Sequence, residues 1–187
     1  MKRVIGPVLV GVVGALAAAP TAQAQGAFVF LGGGMTIPMS DFKEDAKAGW
    51  IATGGVGYNI GEKGLFVEAE GWYGSNKHKD GSGDKTNLLG ATGAVGYMFN
   101  AAQKVSPYVL AGGGILAHQY KPAGGGASDT ESKLAVTGAA GVGIDLNERI
   151  SFWIEGRLLT TLDKDYKSMV VPVTAGISIN FGGGGGN

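Results

Sequence analysis

The feature that most constrains the fold is a strict alternation of side-chain types along the chain beyond residue 24. Segments of roughly ten to fourteen residues place apolar residues at every second position, with glycine-, aspartate- and lysine-rich stretches between them. A period of two is that of a β-strand, whose successive side chains point to opposite faces of a sheet. We therefore predict eight strands, at residues 27–37, 49–60, 65–75, 86–99, 108–120, 134–146, 151–162 and 169–181.

The two faces of these strands differ in a way that indicates a lipid environment. In the fourth segment Leu89, Val95 and Tyr97 share one parity, whereas Gly90 and Thr92 share the other. The second, sixth and eighth segments divide in the same manner. The outward face of a soluble barrel would carry charged residues. These faces are apolar, so we expect them to contact a membrane.

Charged residues are nearly absent from the predicted strands. Beyond residue 24, only Glu68, Glu70, Asp145, Glu155 and Arg157 fall inside them. A charge on the lipid-facing side of a barrel costs up to about 2 to 4 kcal/mol at the bilayer midplane, which explains the exclusion.

The connections alternate between long polar loops, at 38–48, 76–85 and 121–133, and short turns, at 61–64 and 147–149. The fourth loop, 163–168, is shorter than this rhythm predicts. In hydrocarbon every backbone polar group must be paired, so a spanning sheet has to close on itself. The predicted fold is all-β: an eight-stranded antiparallel up-and-down transmembrane β-barrel.

Glycine accounts for 36 of the 187 residues. The interior of an eight-stranded barrel is just wide enough for side chains. We therefore expect small residues to point inward and to leave room for a few large polar ones.

The N-terminus predicts export. Lys2 and Arg3 precede an apolar stretch at 4–19, and Ala22 and Ala24 are small residues at the positions that a signal peptidase reads. We expect a signal peptide at 1–24, a barrel domain at 25–181 and a glycine-rich tail at 182–187. The formal charge of zero argues against a nucleic-acid partner, and the lack of cysteine removes thiol catalysis and thiolate metal sites.

Four ionisable residues are predicted to face the barrel lumen together. Glu68 and Glu70 share the parity of Trp72 in the third strand, and Glu155 and Arg157 share one parity in the seventh. Buried carboxylates need partners, so we expect a lumenal polar network that plugs the interior. A narrow ion path through the same residues is the alternative.

Aromatic residues near the strand ends are predicted to mark the two membrane interfaces, where amphipathic rings are favoured. They are Trp50, Tyr58, Tyr97, Phe99 and Phe181.

No motif in the chain predicts catalysis, a cofactor or a metal. His78 and His118 are expected to be solvated loop or rim residues, and no serine lies within three residues of His118. The glycines at 112–117 lack the helix that a dinucleotide site requires, and residues 80–84 lack calcium-loop spacing. An outer-membrane lipid deacylase remains an alternative only because a catalytic triad is recognised by the geometry of its side chains and not by their order in the sequence.

The chain resembles the outer-membrane β-barrel family that includes the OmpX-type proteins and the transmembrane domain of OmpA. The resemblance covers the signal peptide and residues 25–181. It is carried by the segments Gly54-Gly55-Val56-Gly57-Tyr58, Phe66-Val67-Glu68-Ala69-Glu70, residues 107–114 and residues 171–181. It implies an integral outer-membrane protein, inserted by the barrel-assembly machinery, with loops facing outward. Its members act in adhesion, membrane integrity or defence.

We therefore expect a structural or surface-interaction barrel, monomeric, in contact with outer-membrane lipids and lipopolysaccharide, whose extracellular partner the sequence does not name. A small porin-like channel is the main alternative. A soluble exported barrel with an apolar ligand and a lipid-modifying enzyme are weaker ones. We expect no enzymatic activity and no cofactor.

Overall fold

The computed structural model describes residues 26–61, 63–80, 82–124, 129–162 and 168–181, with Asp129 described by its backbone alone. Its strands follow one another along the chain, with one short helix between the first two. The elements are β1 (Ala27–Ser40), α1 (Phe42–Asp45), β2 (Gly49–Ile60), β3 (Leu65–Lys77), β4 (Lys85–Met98), β5 (Val105–Lys121), β6 (Asp129–Asp145), β7 (Ile150–Thr161) and β8 (Ser168–Phe181).

The eight strands form a closed antiparallel barrel in chain order. Each strand pairs with its sequence neighbours, and β1 pairs with β8 from Ala27↔Phe181 to Ser40↔Ser168. Closure leaves no strand edge with unpaired backbone groups. The predicted up-and-down barrel is confirmed.

The strands are longer at the loop-side end of the barrel than predicted. β6 starts at Asp129 rather than at 134, and β3 and β5 run on to Lys77 and Lys121. Charged residues therefore lie in strands where none was expected: Lys77, Lys85, Lys121, Asp129, Glu131 and Lys133. The apolar alternation reports only the membrane-embedded part of a strand, so its polar extension into water was missed.

The outer face of the barrel is apolar, as the alternation predicted. Leu31 is 72% exposed and Leu134 is 67% exposed, and both lie on the outward parity of their strands. Outward aliphatic residues also include Val95, Ile115, Ile154 and Ile177. A surface of this kind requires an apolar surrounding.

The lumen differs from the prediction in its loop-side half. Small inward residues were expected throughout, but large apolar side chains fill this half in one cluster: Phe42, Ile51, Trp72, Leu88, Leu116, Leu159 and Val170, with Ala46 and Ala135. Glycines on the neighbouring strands leave the space that these large side chains occupy. A Cβ on Gly90 would lie 2.1 Å from the ring of Trp72. The large side chain of Trp72 on β3 therefore occupies the space that Gly90 leaves on β4.

Residues 1–24 and 182–187, the predicted signal peptide and tail, lie outside the described residues, as do Glu62 and most of the fourth loop. Among the described residues, no helix is long and apolar enough to cross a membrane.

Candidate functional site

The four predicted lumenal residues meet at the centre of the barrel around a single guanidinium group. Arg157 Nε donates to Glu155 Oε1 at 2.8 Å, and Arg157 Nη2 donates to Glu68 Oε1 at 3.1 Å. Arg157 Nη1 lies 2.5 Å from Glu70 Oε2, at an angle that makes this contact an ion pair rather than a hydrogen bond. We name Glu68, Glu70, Glu155 and Arg157 the Arg157 cluster.

Alternation along two strands is what brings these side chains together. Glu68 and Glu70 are two residues apart on β3, and Glu155 and Arg157 are two residues apart on β7, so each pair points to one side of its strand. Because β3 and β7 face each other across the closed sheet, the two inward pairs meet in the lumen.

Two further residues complete the hydrogen bonding of the cluster. The Tyr108 hydroxyl on β5 donates to Glu155 Oε2 at 3.0 Å, and the Thr53 hydroxyl on β2 donates to Glu70 Oε1. Sequence reasoning assigned neither residue to the network. Thr53 had the inward parity in β2, but parity alone does not say which strands meet across a lumen.

The cluster is buried, and it places one basic side chain among three acidic ones. The Arg157 side chain is 5% exposed and the three carboxylates are similarly covered, while one guanidinium faces three carboxyl groups. Removing charges from water is costly unless they are paired and hydrogen-bonded. Tyr108 and Thr53 supply the donors that a single arginine cannot.

On the turn side of the cluster the lumen is open. A cavity of about 930 Å³ runs from the barrel mouth to the Arg157 cluster, which forms its floor. Aromatic rings line its wall: Phe28, Phe30, Phe66, Tyr108 and Trp153. Neighbouring rings contact each other at centroid distances near 6 Å, as in Phe30–Trp153 at 6.1 Å and Phe66–Tyr108 at 6.0 Å.

On the loop side the lumen is closed by the apolar cluster, with the first loop folded over it. Helix α1 places Phe42, which is 3% exposed, against the ring of His118 at 5.7 Å. Asn76 Nδ2 donates to Thr36 Oγ1 and to the Lys47 carbonyl, both at 2.8 Å, and so ties this loop to β1 and β3. We name the apolar cluster with α1 the loop-side plug.

The two histidines are not the solvated rim residues that were expected. Both line a pocket of about 190 Å³ together with Phe42, and both are partly buried. His118 Nε2 is hydrogen-bonded to Ser168 Oγ at 2.7 Å, and His78 Nε2 to Thr86 Oγ1 at 2.8 Å. Closure of the barrel brings β5 and β8 together here, which sequence spacing does not reveal.

The histidine–serine pair raises the question of a nucleophile. Ser168 is 0% exposed, and its backbone N–H donates to Thr161 Oγ1 at 3.2 Å, so the hydroxyl that contacts His118 is buried and links β5 to β8. Among the residues that the structure describes, no group of three or more metal-ligating side chains is present.

The carboxylates of the second loop accept hydrogen bonds from within the loop and from β5 with the loop that follows it. Asp80 accepts hydrogen bonds from Ser82 Oγ and Ser82 N, and the side-chain bond contributes most to holding its pKa below the usual range. Asp84 accepts from the Tyr120 hydroxyl and from Ala123 N, and the tyrosine bond lowers its pKa in the same way. Both carboxylates are charged at neutral pH; Asp80 is bonded within its own loop, and Asp84 joins this loop to β5 and the loop that follows it.

The five predicted interfacial aromatics all lie on the outer face of the barrel and are exposed: Trp50, Tyr58, Tyr97, Phe99 and Phe181. Trp50 lies at the loop-side end, beside Tyr73 at 5.4 Å, and the other four lie at the turn-side end. Tyr97 and Phe99 pack edge to face at 5.1 Å.

Known proteins resemble the chain in sequence and in fold. The family model for the outer membrane protein beta-barrel domain matches residues 8–181. No curated protein sequence matches the chain at a significant level.

Solved structures share the fold at low sequence identity. The Neisserial surface protein NspA is 15% identical, with a TM-score of 0.69 over 83% of this chain and 97% of that one. OprG of Pseudomonas aeruginosa is 13% identical, with a TM-score of 0.56 over 88% and 100%. The attachment invasion locus protein Ail of Yersinia pestis is 17% identical, with a TM-score of 0.52 over 82% and 99%.

Proposed function

The chain belongs to the outer membrane protein beta-barrel domain family, and from this membership we propose that it is a non-conducting outer-membrane barrel with a structural or surface-interaction role carried by its loop-side end. The proposal includes export by the N-terminal signal, insertion by the barrel-assembly machinery and a monomeric barrel in contact with outer-membrane lipids and lipopolysaccharide.

The observation that carries this proposal is the closed lumen. The Arg157 cluster crosses the barrel from β3 to β7, and the loop-side plug fills the space beyond it. Leu88 and Leu116 in the plug are at most 1% exposed, and this dense filling of the loop-side lumen supports a non-conducting barrel. A barrel closed in this way supports a role for its surface rather than for its interior.

The outer surface and the loops are then the parts available for interaction. The apolar outer face fits the membrane, whereas the polar strand extensions and loops stand beyond it at one end. Loops on a rigid barrel are where recognition residues are expected. The short turns at the other end would face the periplasm, as is usual in bacterial outer-membrane barrels.

Fractionation combined with a heat-modifiability gel tests the location and the folded state together. We expect the protein in the outer-membrane fraction, with a band that migrates faster unheated than boiled. Recovery in the soluble periplasmic fraction, or one band position in both samples, would contradict the proposal.

A small channel is the second candidate, favoured by the cavity of about 930 Å³ that reaches the Arg157 cluster from the turn side. Conductance in planar bilayers separates the two functions. We expect no reproducible steps from the wild-type barrel. Steps that disappear when side chains near Glu68 and Arg157 are enlarged would establish the channel instead.

We propose a non-catalytic role, because the serine hydrogen-bonded to His118 is buried and forms part of the strand packing. Overexpression should leave lipid A unchanged in mass spectra. A loss of acyl chains that depends on Ser168 would contradict this part of the proposal.

A further inference from the structure

Three lysines stand side by side on the outer face of the barrel at its loop-side end. Lys77 on β3 is directly opposite Lys85 on β4, and Lys85 is directly opposite Lys121 on β5. Directly opposite residues of antiparallel strands project to the same side of the sheet with Cβ atoms about 5 Å apart. We name these three residues the lysine row.

The lysine row points outward rather than into the lumen. The residues next to its members along the strands, Asn76 and Thr86, are buried on the inward side. All three lysines are exposed. Their ammonium groups therefore lie on the lipid-facing side of the sheet, beyond its apolar band.

The positive charge of the row is not neutralised within the described part of the protein. The ion pairs there join Lys133 to Glu131 and Arg157 to its three glutamates, and none includes a member of the row. In the loop between β3 and β4, Asp80 and Asp84 are hydrogen-bonded to Ser82, Tyr120 and Ala123.

Like charges placed directly opposite each other destabilise a sheet. Lysines are common at the edges of natural β-sheets and at the rims of barrels. Three lysines directly opposite one another on adjacent strands nevertheless repel one another unless an anion lies between them. The arrangement therefore favours a ligand with more than one negative charge.

The depth of the row indicates where that anion comes from. The next row of the same parity, closer to the membrane, contains Ser75, Asn87 and Gln119, and the row after it contains Tyr73, Leu89 and Ala117. Trp50, which contacts Tyr73, pairs with Ser75. Interfacial aromatics mark the boundary of the hydrocarbon, so the lysine row lies just above it, at the height of lipid headgroups.

We propose that the lysine row binds the phosphate groups of a phosphorylated glycolipid in the outer leaflet of the membrane. The acyl chains of that lipid lie against the apolar wall below the row, where Ile115 and Leu134 are more than half exposed. This inference rests on the proposed function, because it requires the loop-side end to face the outer leaflet.

Binding can be measured with the full barrel in phosphatidylcholine nanodiscs. The chain has no cysteine, so Ser132→Cys on the outer face of β6 accepts a donor dye. Bisphosphorylated lipid A with a fluorophore on one acyl chain is the acceptor, and energy transfer is followed against its mole fraction. Transfer to a barrel labelled instead through Met39→Cys, on the β1 wall, gives the background of randomly distributed lipid.

The triple variant Lys77→Gln/Lys85→Gln/Lys121→Gln tests the row. We expect its half-saturating mole fraction to rise at least about tenfold, since each lysine near an anionic headgroup contributes to attraction. The control Lys63→Gln/Lys104→Gln/Arg149→Gln removes three exposed cations at the turn-side end and should change the value less than about twofold. An equal loss in both variants would show a net-charge effect and overturn the site.

Two further measurements distinguish binding of a lipid phosphate from binding of free phosphate. Dephosphorylated lipid A with the same acyl chains should bind the wild type as weakly as bisphosphorylated lipid A binds the triple variant. Excess inorganic phosphate should leave the lipid bound. Displacement by inorganic phosphate at matched phosphate concentration would assign the row to a free anion and overturn the proposal.

Failure of this inference and failure of the proposed function give different results. A triple variant that inserts and remains heat-modifiable, yet binds lipid A as the wild type does, removes the lipid site and leaves the barrel in place. A wild type found outside the outer membrane removes the proposed function itself.

Discussion

At the scale of single residues, the pairing of the buried carboxyl groups in the lumen depends on Arg157. Its guanidinium contacts the carboxyl groups of Glu68, Glu70 and Glu155, and each contact joins β7 to itself or to β3. Replacing a whole buried ion pair by apolar residues is often tolerated, but removing one partner leaves charges without compensation. The cluster is therefore asymmetric, because one guanidinium group serves three carboxyl groups.

We expect Arg157→Ala to lower the free energy of unfolding by about 3 to 5 kcal/mol, because it leaves three carboxyl groups buried without a cation. Urea unfolding in lipid vesicles, followed by the heat-modifiable band, measures the change. Arg149→Ala, an exposed arginine in the turn before β7, is the matched control and should stay within about 0.5 kcal/mol of the wild type. Equal stability of Arg157→Ala and the wild type would remove the cluster as a structural element.

Removing one carboxylate should cost less than removing the arginine. Glu68→Gln reduces the excess negative charge and keeps an acceptor oxygen for Arg157 Nη2. We expect a loss of no more than about 1 kcal/mol in the same unfolding measurement. A loss as large as that of Arg157→Ala would mean that all three carboxylates are needed in their charged form.

The sequence predicted the members of the Arg157 cluster but not its partners. Parity along β3 and β7 placed four ionisable side chains inside, because alternation is a local property of a strand. Tyr108 and Thr53 join the cluster from β5 and β2 across the lumen. Contacts of that kind depend on strand tilt and stagger in the closed barrel, which local patterns do not encode.

At the scale of elements, the fit between adjacent strands depends on particular glycines. Gly90 on β4 lies under Trp72 on β3, and an added Cβ would also lie 2.7 Å from the Ile115 carbonyl oxygen. Trp72 belongs to the loop-side plug and is buried, so its ring has little space to move. Gly156 on β7 has the opposite surroundings, with no heavy atom within 4 Å of an added Cβ.

We therefore expect Gly90→Ala to destabilise the barrel by about 1 to 3 kcal/mol, which is the usual cost of overpacking a core. Gly156→Ala provides the control and should be close to neutral. Both are measured by urea unfolding in vesicles. Similar values for the two variants would show that the tryptophan–glycine contact does not limit packing.

The first loop is the element that the sequence analysis described least well. Residues 38–48 were predicted as a polar loop, but β1 continues to Ser40 and α1 turns Phe42 into the barrel mouth. A single buried aromatic among charged residues gives no periodic signal, and a four-residue helix is too short to show one. The loop-side ends of β3, β5 and β6 were not predicted for a related reason, because these polar segments lack the alternation of apolar residues.

Replacement of Phe42 tests the loop-side plug. Phe42→Ala should cost about 3 kcal/mol, as expected for truncation of a buried aromatic side chain. It should also speed proteolysis within residues 41–48 in intact vesicles. Lys43→Ala changes an exposed side chain of the same helix and should have neither effect. An unchanged cleavage rate for Phe42→Ala would indicate that other contacts hold the loop.

At the scale of the whole molecule, the barrel has two unlike ends. The turn-side half contains a water-accessible cavity, and the loop-side half is filled and covered. The arrangement predicted from the alternation, with apolar groups outside and ionisable groups inside, is found on the outer face and at the centre of the barrel. It does not hold for the loop-side lumen, where leucines and a tryptophan point inward.

The central claim is that the outward face of the strands contacts lipid, and the functional proposal depends on it. Val95 on the outer face of β4 is 54% exposed, and its neighbour Ala94 is buried on the inward face. Ile177 on β8 gives a second outward position on the far wall of the sheet from β4.

Spin labels attached to single cysteines of the barrel in lipid vesicles test this claim most directly. The measurement is the collision rate of each label with oxygen, which concentrates in lipid, and with a nickel complex, which stays in water. Labels at Val95→Cys and Ile177→Cys should collide often with oxygen and rarely with nickel, and a label at exposed Lys104→Cys should show the reverse. High nickel accessibility at Val95 and Ile177 would place these residues in water and contradict the account.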